Sequence, residues 1–253
     1  MRPSGSNVTT KIYRNLPKFL PLALSQSQGS TQQSMDPMDQ KDVWVHEKNW
    51  NTGLLRIEAC GAITASTIFS LIAVVATIQC ADPDVSIIIE DSTVTVKSVN
   101  AKRWMEKYLG HRNYREVSKD LRRLITYKIF WIDIKGDFTT QSYVYDGSLK
   151  NNQLEIILNR KFVDLCVSKG LEVEYMAIQR KLKKKPVAKL LYLYLCSNSG
   201  LVFKEDTIFS RIGLKRDDGN NRRTIKKAFT DLEKAEFIVD WKYDDQLRKF
   251  KYS

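Results

Sequence analysis

Between Glu58 and Asp82 the chain runs for 23 residues without a charge, ACGAITASTIFSLIAVVATIQCA. A stretch of that length either crosses a bilayer or is buried inside protein. Six of its members are hydroxylic or amide (Thr64, Ser66, Thr67, Ser70, Thr77, Gln79), and the densest apolar part runs only from Ile68 to Ile78. Aromatic and basic clusters, which mark both ends of a membrane span, are missing. The expectation is therefore a buried first helix over residues 59–81. A membrane-tethered scaffold using the same residues is the competing reading.

The rest of the chain favours burial. It has 253 residues, 43% hydrophobic and 28% charged, which suits one large or two small globular domains. The net charge is +12 and unevenly placed. Residues 1–100 carry net −1, 101–150 net +5, 151–179 net −1 and 180–253 net +9. Two basic blocks with a neutral piece between them suit two contacts on one polyanion.

Residues 1–40 are rich in Ser, Thr, Gln, Asn and Pro and lack a sustained apolar period, so they read as a disordered leader. The first 35 contain Arg2, Lys11, Arg14 and Lys18 and no acid, a composition shared with transit peptides. A start at Met35 or Met38 would remove the leader altogether. Cys60, Cys80, Cys166 and Cys196 show no CxxC or CxxH spacing, and His46 and His111 are far apart, so no metal site is expected. A reducing cytoplasm is the default for such cysteines.

Along the chain, Val85–Ile89 and Thr93–Lys97 read as strands. A helix follows from a cap at Asn100 to a stop at Gly110. Residues 112–125 form a second helical pattern. Tyr127–Ile134 and Gln141–Tyr145 read as a hairpin around Lys135-Gly136-Asp137. Leu154–Leu158 is a further strand, and residues 160–180 a helical connector. The second half opens with Lys183-Lys184-Lys185-Pro186 and an apolar helix, Val187–Cys196, with Pro186 suited to its first turn. A short helix at Asp206–Ile212, a longer one at 220–235, and strands Phe237–Tyr243 and Leu247–Tyr252 complete it. The order helix, helix, helix, hairpin thus occurs twice. It predicts an α+β chain of two winged-helix domains in tandem, at 41–159 and 181–253, with hairpin wings and a connector at 160–180.

On a helical wheel of residues 220–235, Ile225, Ala228, Phe229 and Leu232 share one direction, the width of a core-facing stripe. Arg223, Lys226, Lys227, Thr230 and Lys234 fall opposite. The helix start carries Asn220, Asn221, Arg222 and Arg223, and in a helix-turn-helix the first residues of the second helix reach the bases. Asn suits adenine and Arg guanine, while lysines suit phosphates. In the helix at 112–125, Val117, Leu121 and Leu124 form the stripe, and Arg112, Arg115, Lys119, Arg122 and Arg123 lie away from it. The C-terminal hairpin adds Lys242, Arg248, Lys249 and Lys251, interleaved with core-type aromatics Trp241, Tyr243, Phe250 and Tyr252. The Lys181–Lys185 cluster either meets phosphate or is a solvated linker. The candidate interface with double-stranded DNA consists of these basic and amide residues.

Catalytic signatures are missing: no Walker A loop, GxGxxG, GxSxG or HExxH occurs. Asp217-Asp218 and Asp244-Asp245 sit in turns, where Asp bonds locally. A tyrosine nucleophile would lack a nearby His cluster. Neither an enzyme nor a cofactor is expected.

The segment LKKKPVAKLLYLYLCSNSG, with FSRIGLKRDDGNNRRTIKKAFTDLEKAEFIVDW after it, resembles the C-terminal winged helix of iteron-binding plasmid replication initiators. YREVSKDLRRLITYKIFWIDI and LEIILNRKFVDLC are similar to their N-terminal winged helix and its connector. The resemblance covers about residues 50–253 and is one of architecture and apolar pattern. It implies a cytoplasmic initiator that binds direct repeats at an origin, helps open the duplex and recruits host replication proteins. It also implies a homodimer through the N-terminal unit that represses its own gene. By position, Asn220–Lys227 would be the main base-reading segment and Arg112–Arg123 the secondary one. A tandem winged-helix transcription regulator without an origin role would use the same contacts.

Overall fold

The computed structural model describes residues 10–13, 43–50, 53–60, 63–80, 82–198, 200–212, 214 and 219–252. Strands β1 (Thr10–Tyr13), β2 (Val43–Trp50) and β3 (Gly53–Cys60) precede helix α1 (Ala65–Gln79). A hairpin follows, β4 (Val85–Ile89) and β5 (Thr93–Ser98), then α2 (Ala101–Leu109) and α3 (Tyr114–Thr126). Two further hairpins come next: β6 (Lys128–Asp133) with β7 (Phe138–Gln141), and β8 (Val144–Lys150) with β9 (Gln153–Asn159). Then come α4 (Arg160–Lys169), β10 (Gly170–Val173) and α5 (Tyr175–Lys181). The last part comprises α6 (Pro186–Cys196), β11 (Val202–Lys204), α7 (Glu205–Ile212), α8 (Gly219–Lys234), β12 (Lys242–Asp244) and β13 (Lys249–Lys251). All strand pairs are antiparallel, in sheets ordered β2-β3-β6-β7, β4-β5-β9-β8, β11-β13-β12 and β1-β10.

The uncharged stretch is a buried helix, shorter than its sequence suggests. Ala59 and Cys60 end β3, and the helix spans 65–79, capped by a reciprocal pair of bonds between Thr64 and Thr67. It is buried on every side because α2, α3, α6, β1 and β5 surround it. Among the described residues no helix is long and apolar enough to cross a membrane. Its hydroxyls have partners. Ser66 Oγ, Thr67 Oγ1 and Ser70 Oγ donate to the carboxylate of Asp120 on α3, at 2.5, 2.8 and 3.1 Å. Thr77 Oγ1 accepts from Trp104 Nε1 at 2.8 Å and donates to the carbonyl of Ala73.

Several expectations change at the level of elements. The reading of 1–40 as unstructured fails at Thr10–Tyr13, which pair with β10; the rest of that segment lies outside the described residues. The connector is not wholly helical, because β10 interrupts it to receive β1. The hairpin around Lys135–Asp137 exists, with Asp133 Oδ1 accepting from the amides of Lys135 and Asp137 and Gly136 at φ +89°. Its second strand is Phe138–Gln141, however, and Val144 already belongs to β8. β8 and β9 turn at Asn151-Asn152, both at positive φ, as a two-residue hairpin turn requires. That turn docks on α2: Asn152 O and Oδ1 accept from the amides of Ala101 and Lys102, beside the expected Asn100 cap. Gly110 ends α2 in the left-handed conformation, φ +74°. Finally, Phe237–Trp241 is not a strand; residues 236 and 240 have positive φ, and β12 starts at Lys242.

Two runs of elements correspond. α1, β4–β5, α2, α3 and β8–β9 match α6, β11, α7, α8 and β12–β13 in order, with β6–β7 inserted in the first. α1 packs on α3 as α6 packs on α8, and α1 also touches α6, so the buried residues of both halves form one continuous cluster. The chain is thus a mixed α+β protein with antiparallel sheets.

Candidate nucleic-acid interface

The apolar stripe of α8 is buried as its period requires: Ile225, Ala228, Phe229 and Leu232 all face the core. Phe229 stacks on Phe250 of β13 with ring centroids 4.8 Å apart and on Trp241 at 5.4 Å. Opposite them, Arg223 and Lys227 project into solvent one helical turn apart, with no ion-pair or hydrogen-bond partner among the described residues. Asn220 is exposed and Asn221 half-buried at the start of the helix.

Arg222 leaves that face. Its Nε donates to Oε1 of Glu205 at 2.8 Å, and Arg248 Nε lies 3.3 Å from Oε2 of the same carboxylate. The Tyr243 hydroxyl donates to Oε2 as well, and the backbone amide of Glu205 donates to the Arg248 carbonyl at 2.9 Å. Glu205 is 1% exposed. Burial pushes its carboxyl up, but the bonds from Tyr243, Arg222 and Arg248 outweigh this and hold it below the ordinary range. Burial and the Glu205 charge raise Tyr243 to about 12, so its phenol stays a donor. One carboxylate at the start of α7 thus fastens α8, β12 and the hairpin turn together. Lys226 lies 4.1 Å above the Tyr243 ring and 3.9 Å from Asp245 in the turn.

The strand lysines occupy another surface. Phe250 faces α8, so Lys249 and Lys251 point to the other side of the sheet. There Lys251 is paired with Lys242, and Lys249 with Lys204 and Asp244. Like charges directly opposite each other disfavour a sheet. Carboxylates of the chain offset part of that repulsion, since Asp244 stands opposite Lys249 and Asp240 lies 3.7 Å from Lys242. Sequence reasoning missed Lys204 because it lies on β11, a three-residue strand outside both basic helices. The structure separates Arg223 and Lys227 from Lys204, Lys242, Lys249 and Lys251.

α3 shows the same sorting. Val117, Leu121 and Leu124 are buried as expected. Arg115, Lys119 and Arg122 are exposed, unpartnered among the described residues, and share one face. Arg112 precedes the helix and pairs with Glu106, with Nε to Oε2 at 3.1 Å. Arg123 bends back to Asp120 at 3.1 Å, where it neutralises a fully buried carboxylate. Arg112, Arg123, Arg222 and Arg248, all expected to face DNA, therefore hold carboxylates of the chain itself.

No protein-family model and no curated protein matches the chain. Among solved structures, the crystal structure of domains 2 and 3 of RctB superposes with a TM-score of 0.53 at 12% identity, over 88% of this chain and 95% of that one. At that identity the likeness is one of fold.

Proposed function

We propose that the protein is a sequence-specific double-stranded DNA-binding protein that initiates plasmid replication through two winged-helix units. The observation that carries this reading is the equivalence of α3 and α8. Each follows a helix, precedes a hairpin, buries an apolar stripe and turns unpartnered cations outward. A helix presenting Arg and Lys away from its core is what major-groove docking needs. The fold neighbour RctB is itself a replication initiator, which favours an origin over a promoter as the target. In this reading α8 reads bases through Asn220, Asn221 and Arg223, and Lys226 and Lys227 meet phosphates. α3 makes the secondary contact through Arg115, Lys119 and Arg122. Host replication proteins and a second copy of the chain are its protein partners, and it performs no catalysis. The test is a footprint on the DNA adjoining the gene. Protection of direct repeats beside an AT-rich stretch is expected. Protection of a promoter alone would make the protein a regulator, and no protection would end the DNA reading.

A further inference from the structure

The lysine cluster before α6 borders a cavity of about 240 Å³ at the junction of the two halves. Its walls come from the first turns of α1 and α3, the α2–α3 corner, α5, and the start of α6. The buried wall has too many donors for its acceptors. Lys189 is 9% exposed, lies 5.3 Å over the Phe69 ring, and has a single hydrogen-bond acceptor among the described residues, Gln179 Oε1 at 2.5 Å. Gln179 is 6% exposed, and its Nε2 has no acceptor within hydrogen-bond distance among the described residues. The Gln179 amide is thus buried with no acceptor within hydrogen-bond distance there, and the Lys189 ammonium has one acceptor for its three N–H groups.

The rim is also cationic. Lys183 and Lys184 line the cavity, exposed and unpartnered among the described residues, while Lys185 is engaged with Asp231 at 2.7 Å. Of the described residues on the wall, Glu116 alone carries a carboxylate, and it already accepts from Asn113. The amino end of α6 borders the space with no side-chain cap on its amides, and helix amino ends favour anions. Burial pushes the Lys189 ammonium down to about 8, as expected of a cation without a counter-charge.

We propose that this cavity binds a small oxyanion of the phosphate class, held by Lys189 and Gln179 from the buried wall and by Lys183 and Lys184 from the rim. The ligand supplies the acceptors the wall lacks, and it bridges α1 and α3 on one side to α5 and α6 on the other. The site needs no DNA and does not depend on the DNA reading.

The test uses the full chain without DNA, with inorganic phosphate as probe and chloride at matched ionic strength as control. The melting temperature should rise with phosphate concentration, as ligation of the folded state requires. Lys189→Met removes the charge while filling the space, and Gln179→Glu supplies the missing negative charge from within. Both should weaken phosphate binding by about tenfold or more, read by calorimetric titration. Gln179→Glu should also melt higher than the parent in the absence of phosphate, which a general loss of structure would not produce. Equal responses to phosphate and chloride would overturn the proposal. So would variants that bind phosphate as the parent does. A Lys189→Met protein that loses DNA affinity, from a parent that ignores free phosphate, would overturn it too, since the cavity would then serve the nucleic acid backbone.

Discussion

Two buried carboxylates decide what many of the charged residues do. Asp120 sits in the middle of a basic helix and is fully buried. It accepts from three hydroxyls of α1 and from Arg123, so its removal strands four donors. Asp120→Ala should therefore cost about 3–5 kcal/mol, the range for breaking a buried charged pair. Asp120→Asn, which keeps an acceptor oxygen, should cost less. Urea midpoints at constant slope measure both. Glu205 gives a pH signature. Its folded carboxyl is held below the ordinary value of 4.5, so its contribution is present above that pH and lost as the pH falls through the lower folded value. The stability gap between the parent and Glu205→Gln should be constant from pH 7 to about 5 and close under stronger acid. A gap that stays open in acid would mean that the carboxylate's charge is not what fastens α8 to the hairpin. These roles could not be read from sequence, because Glu205 meets Arg222 and Arg248 from 17 and 43 positions away. An Asp among arginines and lysines likewise looks solvated until α1 is laid against it.

At the scale of elements, α3 and α8 were legible because a period of 3.6 sorts their residues whatever the rest of the chain does. The cap at Asn100 and the left-handed stop at Gly110 were legible because they are local. β8 was not: its burial alternates only weakly, and its register shifts between Val144 and Asp146, so no period of two marks it. The β1–β10 pairing joins residues about 160 positions apart, beyond any local signal. The sorting of charges on α8 yields two separable outcomes. Arg223→Ala with Lys227→Ala should leave stability within about 0.5 kcal/mol, as exposed substitutions do. The slope of log affinity against log salt should then fall by about 0.9 for each phosphate no longer neutralised. Phe229→Ala should do the reverse, costing about 3–5 kcal/mol of stability. An unchanged salt slope in the double variant would take α8 out of the interface.

At the scale of the molecule, the question is whether the two basic helices act together. A cut near residue 175 would not isolate them cleanly. The Tyr175 hydroxyl lies 3.0 Å from the Phe69 carbonyl and 2.9 Å from that of Tyr108, and α1 touches α6. Substitution on the intact chain is the better separation. If α3 and α8 enter successive major grooves on one face of B-DNA, they lie about one turn, roughly 10 bp, apart. A monomer should then protect on the order of 20 bp. Arg115, Lys119 and Arg122 are all exposed, so the fold should persist when the three are replaced together by Ala. The footprint should contract to about one turn, and affinity should fall by about 10²–10⁴, the advantage that linkage gives a second contact. The contraction should occur at the end of the site away from α8, so the remaining protection keeps its sequence preference. A full-length footprint from the triple variant would mean that α3 does not touch DNA, and its cations would then need another anionic partner.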